Sequence, residues 1–293
     1  MAERVIYVNG EFVPESHARI SVLDHAVLYG DGVFETAVAW NGRVFKFDDH
    51  VDRFFRSMAA VAMEAPFTRD ELKRLVLESI RRNGFSEAYV KWIATRGSNG
   101  TPLMDPAGCV ANLIILSQPY IDRGGAAGLR LKTTAIRRPP GHVLDAHIKS
   151  LNYLNLVLAR IEAKAAGADQ ALMLDVHGHI CEAPGFNVFL VKGRKLQTPA
   201  HDILAGVTRQ TVIDMAPELG YAVEEGVFEL YHAYTADEVF LTSTAGGLLP
   251  VVEVDGRRIG GGKPGPAFRE LRAAYQAALG SSRWGTPVNE HAS

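Results

Sequence analysis

Cysteine is scarce in this chain. Among 293 residues there are two, Cys109 and Cys181. Their spacing matches no metal motif, so neither a disulfide framework nor a zinc site is supported, and no metal is expected. An excess of charge is missing as well: 31 basic and 33 acidic residues leave −2 at pH 7. With no basic block, nucleic acid is excluded as a main partner. Long hydrophobic runs are absent. The stretch "NLIIL" near residue 114 is far shorter than the roughly 20 residues a bilayer span needs, so no membrane association is expected. The opening, "MAERVIYVNGEF", carries charge and then alternates like a strand rather than a secretory leader, so a cytoplasmic protein is expected. There is no repeat and no low-complexity tract. What remains is 47% hydrophobic and 22% charged residues, enough to bury a sizeable core in one large domain or two.

Local patterns divide the chain. "RVIYVNGEFVP" and "GVFETAVAWNGRVFKF" each place Asn-Gly between short apolar runs, at Asn9-Gly10 and Asn41-Gly42, which predicts two hairpins. A helix is predicted from about Asp48. A second is predicted over 68–83, opened by a Thr-x-x-Glu-like cap and closed at Gly84. "EAYVKWIATRG" and "CVANLIILSQP" read as strands. Residues 118–128, rich in Gly and Pro, read as a linker. Beyond it, "LRLKTTAIRR" predicts a strand. After Lys149 a helix is predicted with Leu151, Leu154, Leu158 and Ile161 on one face, ending near Gly167. Residues 170–199 predict three strands with turns at His177-Gly178 and Gly193. A helix from about 207, a strand–turn–strand over 237–256 and a C-terminal helix from about 265 complete the pattern. The expected architecture is α+β in two domains: a small α+β domain over 1–117, and a larger strand-rich, cofactor-binding domain over 129–293.

Several residue types point to chemistry. Lys149, in "IKSLNYLN", stands between Ile148 and Leu151, where apolar surroundings favour a reactive amine; most lysines are solvated charges. Glu182, in "GHICEAPGFNVFLV", is an acid between an apolar strand and a small-residue turn. It is either a solvated turn acid or a partner for a cationic ring nitrogen. "LAGVTRQTV" offers Gly206 and the Thr208 hydroxyl at a helix N-terminus, and "TSTAGG" offers Ser243, Thr244 and bare backbone; both suit a phosphate. Arg53, in "HVDRFFRS", adds a charged fork. An amine, a ring-nitrogen acid, two anion sites and an arginine are the parts needed to hold pyridoxal 5′-phosphate.

"YGDGVFET", "HVDRFFRS", "IKSLNYLN", "GHICEAPGFNVF", "LAGVTR" and "TSTAGGLLPV" occur in an order that resembles the fold-type IV pyridoxal-phosphate enzymes. These are the branched-chain and D-amino-acid aminotransferases, the (R)-selective amine transaminases and aminodeoxychorismate lyase. The resemblance covers nearly the whole chain. It implies that Lys149 forms the Schiff base with the cofactor and moves the proton. Glu182 would pair with the pyridine nitrogen, Arg53, Val207, Thr208 and Thr244 would bind the phosphate, Tyr153 would lie near the 3-oxygen, and Leu204 would pack against the ring. It also implies an active site at the domain boundary, a homodimer or higher homo-oligomer, and ping-pong transfer from an amine or amino acid donor to a 2-oxo acid acceptor.

Substrate choice is expected to involve Phe34, Thr36, Tyr89, Lys91, Ala245 and Gly246. Two departures matter. Val38 stands where the branched-chain enzymes usually carry an arginine, and Tyr89-Val90-Lys91 replaces their Tyr-x-Arg. The D-amino-acid pattern after Thr95-Arg96-Gly97 is missing too. A Gly246-Gly247 turn would leave room for a bulky substituent. The expectation is therefore an (R)-amine or D-amino-acid donor with pyruvate or 2-oxoglutarate as acceptor. The alternatives are an L-branched-chain aminotransferase, aminodeoxychorismate lyase and a non-catalytic binding protein. Arg130, Arg137 and Arg138 are expected to form a solvated rim. His25, His50 and His147 have no partner legible in the sequence.

Overall fold

The computed structural model describes residues 3–121 and 127–289, so the central residues of the expected linker, 122–126, lie outside the described residues. The chain divides into two compact units. The first comprises Met1–Ile121, Ile148–Asn152 and Leu279–Ser293; the second comprises Asp122–His147 and Tyr153–Ala278.

The first unit is built on a seven-stranded antiparallel sheet. Its strands are β1 (Val5–Val8), β2 (Glu11–Pro14), β3 (Gly32–Trp40), β4 (Arg43–Phe45), β5 (Ala88–Thr95), β6 (Asn112–Pro119) and, from the far end of the chain, β16 (Gly285–Pro287). They lie in the order β16-β4-β3-β5-β6-β1-β2. Both predicted hairpins form. Asn9 and Gly10 have φ of 46° and 103°, and Asn41 and Gly42 have 48° and 70°, the left-handed pairs that a two-residue turn with the strands' twist requires.

A short helix, α1 (His25–Tyr29), precedes β3. Helices α2 (Phe47–Ala60) and α3 (Arg69–Arg82) cover one face of the sheet. Phe47, Val51, Phe54 and Met58 of α2 recur at helical spacing and are buried. Trp92 of β5, fully buried, lies edge-on to Phe47 and Phe54 at 6.1 Å. The capping box at Thr68 and Glu71 is present in both directions.

The second unit holds a nine-stranded sheet: β7 (Leu129–Thr133), β8 (Gln170–Leu174), β9 (Ile180–Ala183), β10 (Phe186–Lys192), β11 (Lys195–Pro199), β12 (Ala222–Gly226), β13 (Glu238–Ser243), β14 (Gly247–Val254) and β15 (Arg257–Arg258). Because β9 pairs with both β8 and β10, the strands β10-β13-β14-β7-β8-β9 close into a ring. The β14–β7 and β7–β8 pairs are parallel; the other four pairs in the ring are antiparallel. Helices α4 (Gly141–Leu144), α5 (Leu154–Ala165), α6 (Val207–Met215), α7 (Leu230–Tyr234) and α8 (Pro266–Leu279) complete the chain.

The structure departs from the sequence reading in four places. Residues 148–152 do not start a helix: Ser150 bridges Val33 of β3, and α5 begins only at Leu154. Residues 170–199 form four strands, because Gly185, at φ 82°, turns the chain between β9 and β10. The segment after α8 adds β16 to the first sheet instead of ending as a frayed helix. On α5 the buried residues are Leu156, Ala159 and Ala163, while Leu154, Leu158 and Ile161 are 70%, 43% and 59% exposed. The small side chains let α5 lie close on β8, so the large apolar ones face outward.

Thr68→Ala removes one half of the capping box and weakens the other. It is expected to lower the unfolding free energy by about 1 kcal/mol, read as a shifted urea midpoint in circular dichroism, with turnover unchanged.

Candidate active site

In the first unit, Lys149 is held by its own backbone. Its amide donates to Ser57 Oγ of α2 at 3.1 Å, and its carbonyl accepts from the Phe34 amide at 2.9 Å. Two residues further on, the Leu151 amide donates to the Gly32 carbonyl at 2.8 Å. The residue is 8% exposed, and its Nζ lies 4.4 Å over the Phe34 ring. The expectation of a buried amine holds, although the anchor is strand β3 and not a following helix.

The β3–β5 register pairs Phe34 with Ile93, Thr36 with Lys91, and Val38 with Tyr89. Paired residues share a face, so Phe34, Thr36, Tyr89 and Lys91, four of the residues expected to read substrate, are neighbours on one face of the sheet. Lys91 Nζ lies 4.3 Å over the same Phe34 ring. Burial lowers its pKa, since desolvation disfavours the ammonium.

The opposite face of β3 turns Glu35 toward α2. Glu35 is fully buried and accepts from Arg53 Nε and Nη2 at 2.7 Å each, from His50 Nδ1 at 3.1 Å and from the Thr36 amide at 2.7 Å. Burial alone would raise its pKa. Arg53 and His50 outweigh that and hold the carboxyl well below the usual range. Burial lowers the pKa of His50; because the Glu35 carboxylate can only accept, His50 Nδ1–H is the donor between them. Arg53, expected to serve a phosphate, thus gives two of its five N–H donors to Glu35. Neither Glu35 as a partner nor His50 as part of this cluster was read from the sequence. The available signal was a single acid inside the apolar run Val33–Trp40.

In the second unit, Glu182 is a strand residue of β9 rather than a solvated turn acid, and is 4% exposed. Its Oε1 lies 3.1 Å from Arg138 Nη2. Its Oε2 accepts from the Leu204 amide at 3.0 Å and, at 3.4 Å, from Asn187 Nδ2. Asn187 is its cross-strand partner and also donates to the Leu204 carbonyl at 2.8 Å. Arg138 is a correction: it is 7% exposed and not part of a solvated rim, whereas Arg130 and Arg137 are exposed.

Helix α6 begins at Val207 with Gly206 as its N-cap and no side-chain cap. Its first intrahelical bond runs from the Gln210 amide to Gly206, so the amides of Val207, Thr208 and Arg209 precede that ladder. A Cβ on Gly206 would lie 2.0 Å from Asn187 Oδ1, so only glycine fits there. Thr244 and Ala245 lie in the β13–β14 turn, where Ser243 Oγ accepts from the Gly246 amide at 2.9 Å. At Gly246 the turn is closely packed: an added Cβ would meet Phe186, Ser243 and Leu249 at 3.0–3.2 Å, and Gly247 adopts a left-handed φ of 59°. Tyr153 is the half-buried N-cap residue of α5.

These residues fit pyridoxal 5′-phosphate. A buried amine suits its aldehyde, an uncapped helix start with a glycine no side chain can replace suits its phosphate, and a buried carboxylate suits its ring nitrogen. Among the described residues, no group of three or more His, Cys, Asp or Glu could hold a metal ion, and no helix is long and apolar enough to cross a membrane.

Glu35→Gln removes the buried anion between Arg53 and His50 and with it a charged partner of the guanidinium. A loss of about 3–5 kcal/mol in unfolding free energy is expected, measured by chemical denaturation. Because the folded pKa of Glu35 is depressed, its stabilisation is complete above its unfolded pKa. It is lost as pH falls through the acid range, so the wild-type and Glu35→Gln stabilities should converge there.

The family model for amino-transferase class IV matches residues 32–254. A putative branched-chain-amino-acid aminotransferase of Methanocaldococcus jannaschii is 41% identical over 97% of this chain and 98% of its own. The branched-chain-amino-acid aminotransferase of Pseudomonas aeruginosa is 34% identical over 94% and 93%. The structure of the branched-chain amino acid aminotransferase from Thermobaculum terrenum in its PLP-bound holo form has a TM-score of 0.90 at 31% identity, over 98% of this chain and 99% of that one. The chain therefore belongs to the amino-transferase class IV family, and it is a fold-type IV, pyridoxal-phosphate-dependent transaminase.

Proposed function

We propose that this transaminase is a branched-chain amino acid aminotransferase that takes L-leucine-like donors and passes the amino group to a 2-oxo acid. The observation that carries this reading is the nearly full-length similarity to relatives named for that activity. The (R)-amine or D-amino-acid reading rested partly on space at Gly246, and that position is closely packed. The L-branched-chain alternative is therefore the better supported of the two.

When bound, pyridoxal 5′-phosphate supplies the carbonyl that takes the amino group and a ring that accepts electrons from the substrate α-carbon. Lys149 Nζ would hold the cofactor and would carry the proton taken from the substrate α-carbon. Its pinned backbone limits where that amine can travel. Glu182 would pair with the ring nitrogen, and Leu204 would pack against the ring. Arg53 in the first unit, and the α6 amides of Val207 and Thr208 with Thr244 in the second, are the groups that would serve the phosphate. Tyr153 serves the 3-oxygen. Phe34 and Thr36 offer an aliphatic side chain a mostly apolar wall, with Tyr89 beside them. Lys91 supplies a cation for a carboxylate even though the family's usual arginine is missing, and Ala245 and Gly246 offer backbone groups.

The chain is further proposed to work as a homodimer or higher homo-oligomer. Support comes from α5, where Leu154, Val157, Leu158 and Ile161 form an exposed apolar stripe at helical spacing.

Three measurements test these readings. In separate half-reactions, L-leucine is expected to bleach the visible band of the holoenzyme rapidly, with little effect from D-alanine or (R)-1-phenylethylamine. Bleaching by the latter two and not by L-leucine would reverse the substrate assignment. Lys149→Ala is expected to abolish turnover with every donor. Leu158→Glu is expected to reduce the assembly's mass in light scattering; an unchanged mass would remove α5 from the interface.

A further inference from the structure

We infer that Arg138 is a positioning residue for transamination: it holds the Glu182 carboxylate ionised and aimed, so that the proton shared with a ring nitrogen stays on the ring. This rests on the reading of Glu182 given above.

The geometry is that of a buried carboxylate–guanidinium pair. Arg138 follows β7 and is anchored twice. Its amide donates to the Leu174 carbonyl at 2.9 Å, and its Nε donates to the Asp202 carbonyl at 3.3 Å. Those contacts leave Nη2 at 3.1 Å from Glu182 Oε1. Both side chains are almost completely buried, at 9% and 6% exposed. Oε2 is oriented separately by the Leu204 amide and by Asn187, so the two oxygens have different duties. The neutral donors orient the carboxylate, and the guanidinium sets its charge.

The physical argument concerns where a proton rests. A buried carboxylate without a counter-charge gains proton affinity, whereas one beside a guanidinium loses it. With Arg138 in place, Glu182 competes poorly for the ring proton, and the ring stays the better electron acceptor. Without it, the carboxyl keeps the proton and the ring accepts electrons less readily. The other titratable groups in this neighbourhood are Asp175, just after β8, and Asp202, in the loop before α6. Together with Glu182 they raise the pKa of the Cys181 thiol behind the main effect of burial, and Arg138 opposes them. Asp175 is already engaged by His179 Nδ1 at 2.8 Å, with the His177 and His179 amides on its other oxygen. Arg138 is the guanidinium that meets Glu182 directly.

The test compares Arg138→Gln, Arg138→Lys and Glu182→Gln as holoenzymes. The readouts are the pH profile of kcat/KM, the pH dependence of the visible spectrum, the thermal midpoint, and the dissociation constant of pyridoxal 5′-phosphate from titration of the apoenzyme. For Arg138→Gln the acid limb and the spectral midpoint should move up by roughly one pH unit or more. Cofactor binding should weaken about tenfold. Arg138→Lys, which keeps the charge without the fork, should restore most of the pH behaviour and keeps the test open if Arg138→Gln folds poorly. A lowered thermal midpoint with unmoved pH profile and spectrum, or equal shifts in Arg138→Gln and Arg138→Lys, would overturn the inference. Glu182→Gln separates the two levels. Wild-type affinity and pH behaviour in that variant would sink the ring-nitrogen reading itself; impairment there with none in Arg138→Gln would sink only the role of Arg138.

Discussion

Taking a carboxylate out of water costs several kcal/mol unless donors replace the lost hydration. Among the described residues Glu35 and Glu182 are buried glutamates that meet that need, and each gathers its surroundings. Glu35 is surrounded by Arg53, His50 and the Thr36 amide, which ties α2 to β3. Glu182 is met by Arg138, Asn187 and the Leu204 amide, which ties β9, β10 and the loop leading to α6. The elements that carry the candidate lysine and the candidate phosphate helix are thus fixed by the need to satisfy buried charge as well as by apolar packing.

Backbone placement does the rest. Lys149 belongs to a short segment bound to the start of β3 and to α2 through the bonds at Phe34, Gly32 and Ser57. A long, flexible side chain becomes a defined reagent only if its Cα is fixed, and here the fixing is done by main-chain hydrogen bonds that involve no part of the lysine amine. On the second unit, Gly206 performs a similar service. Its missing side chain admits Asn187, and Asn187 in turn places the loop that donates to Glu182. A few small residues therefore control the position of the large, charged ones.

Motif gaps by themselves do not decide a substrate. The missing arginines at Val38 and in Tyr89-Val90-Lys91 suggested that carboxylate recognition had been lost. Lys91, however, still places an amine over Phe34, on the face that also presents Thr36. Likewise, two consecutive glycines suggested open space. Gly247 has a left-handed backbone that favours glycine, and Gly246 lies close to Phe186, Ser243 and Leu249. A glycine marks either room or its opposite, and only the neighbours decide which.

Much of the architecture was legible because it is encoded over a few residues. Asn-Gly turns, the Thr68–Glu71 box and the start of α6 follow from local conformational preference, and the six motifs identified the family through their order. Lys149, Glu182 and Arg53 were recognisable as candidates for the same reason. The charge pairs were not, because Glu35 meets Arg53, and Glu182 meets Arg138, only after strands and helices distant along the chain have packed. The same limit hid the exposed stripe of α5 and the return of β16 to the first sheet. Sequence by itself determined which residue types were available and which short segments would turn or coil. Tertiary structure decided which of those residues lost water and with whom, because burial and electrostatic pairing depend on distances that no local pattern contains.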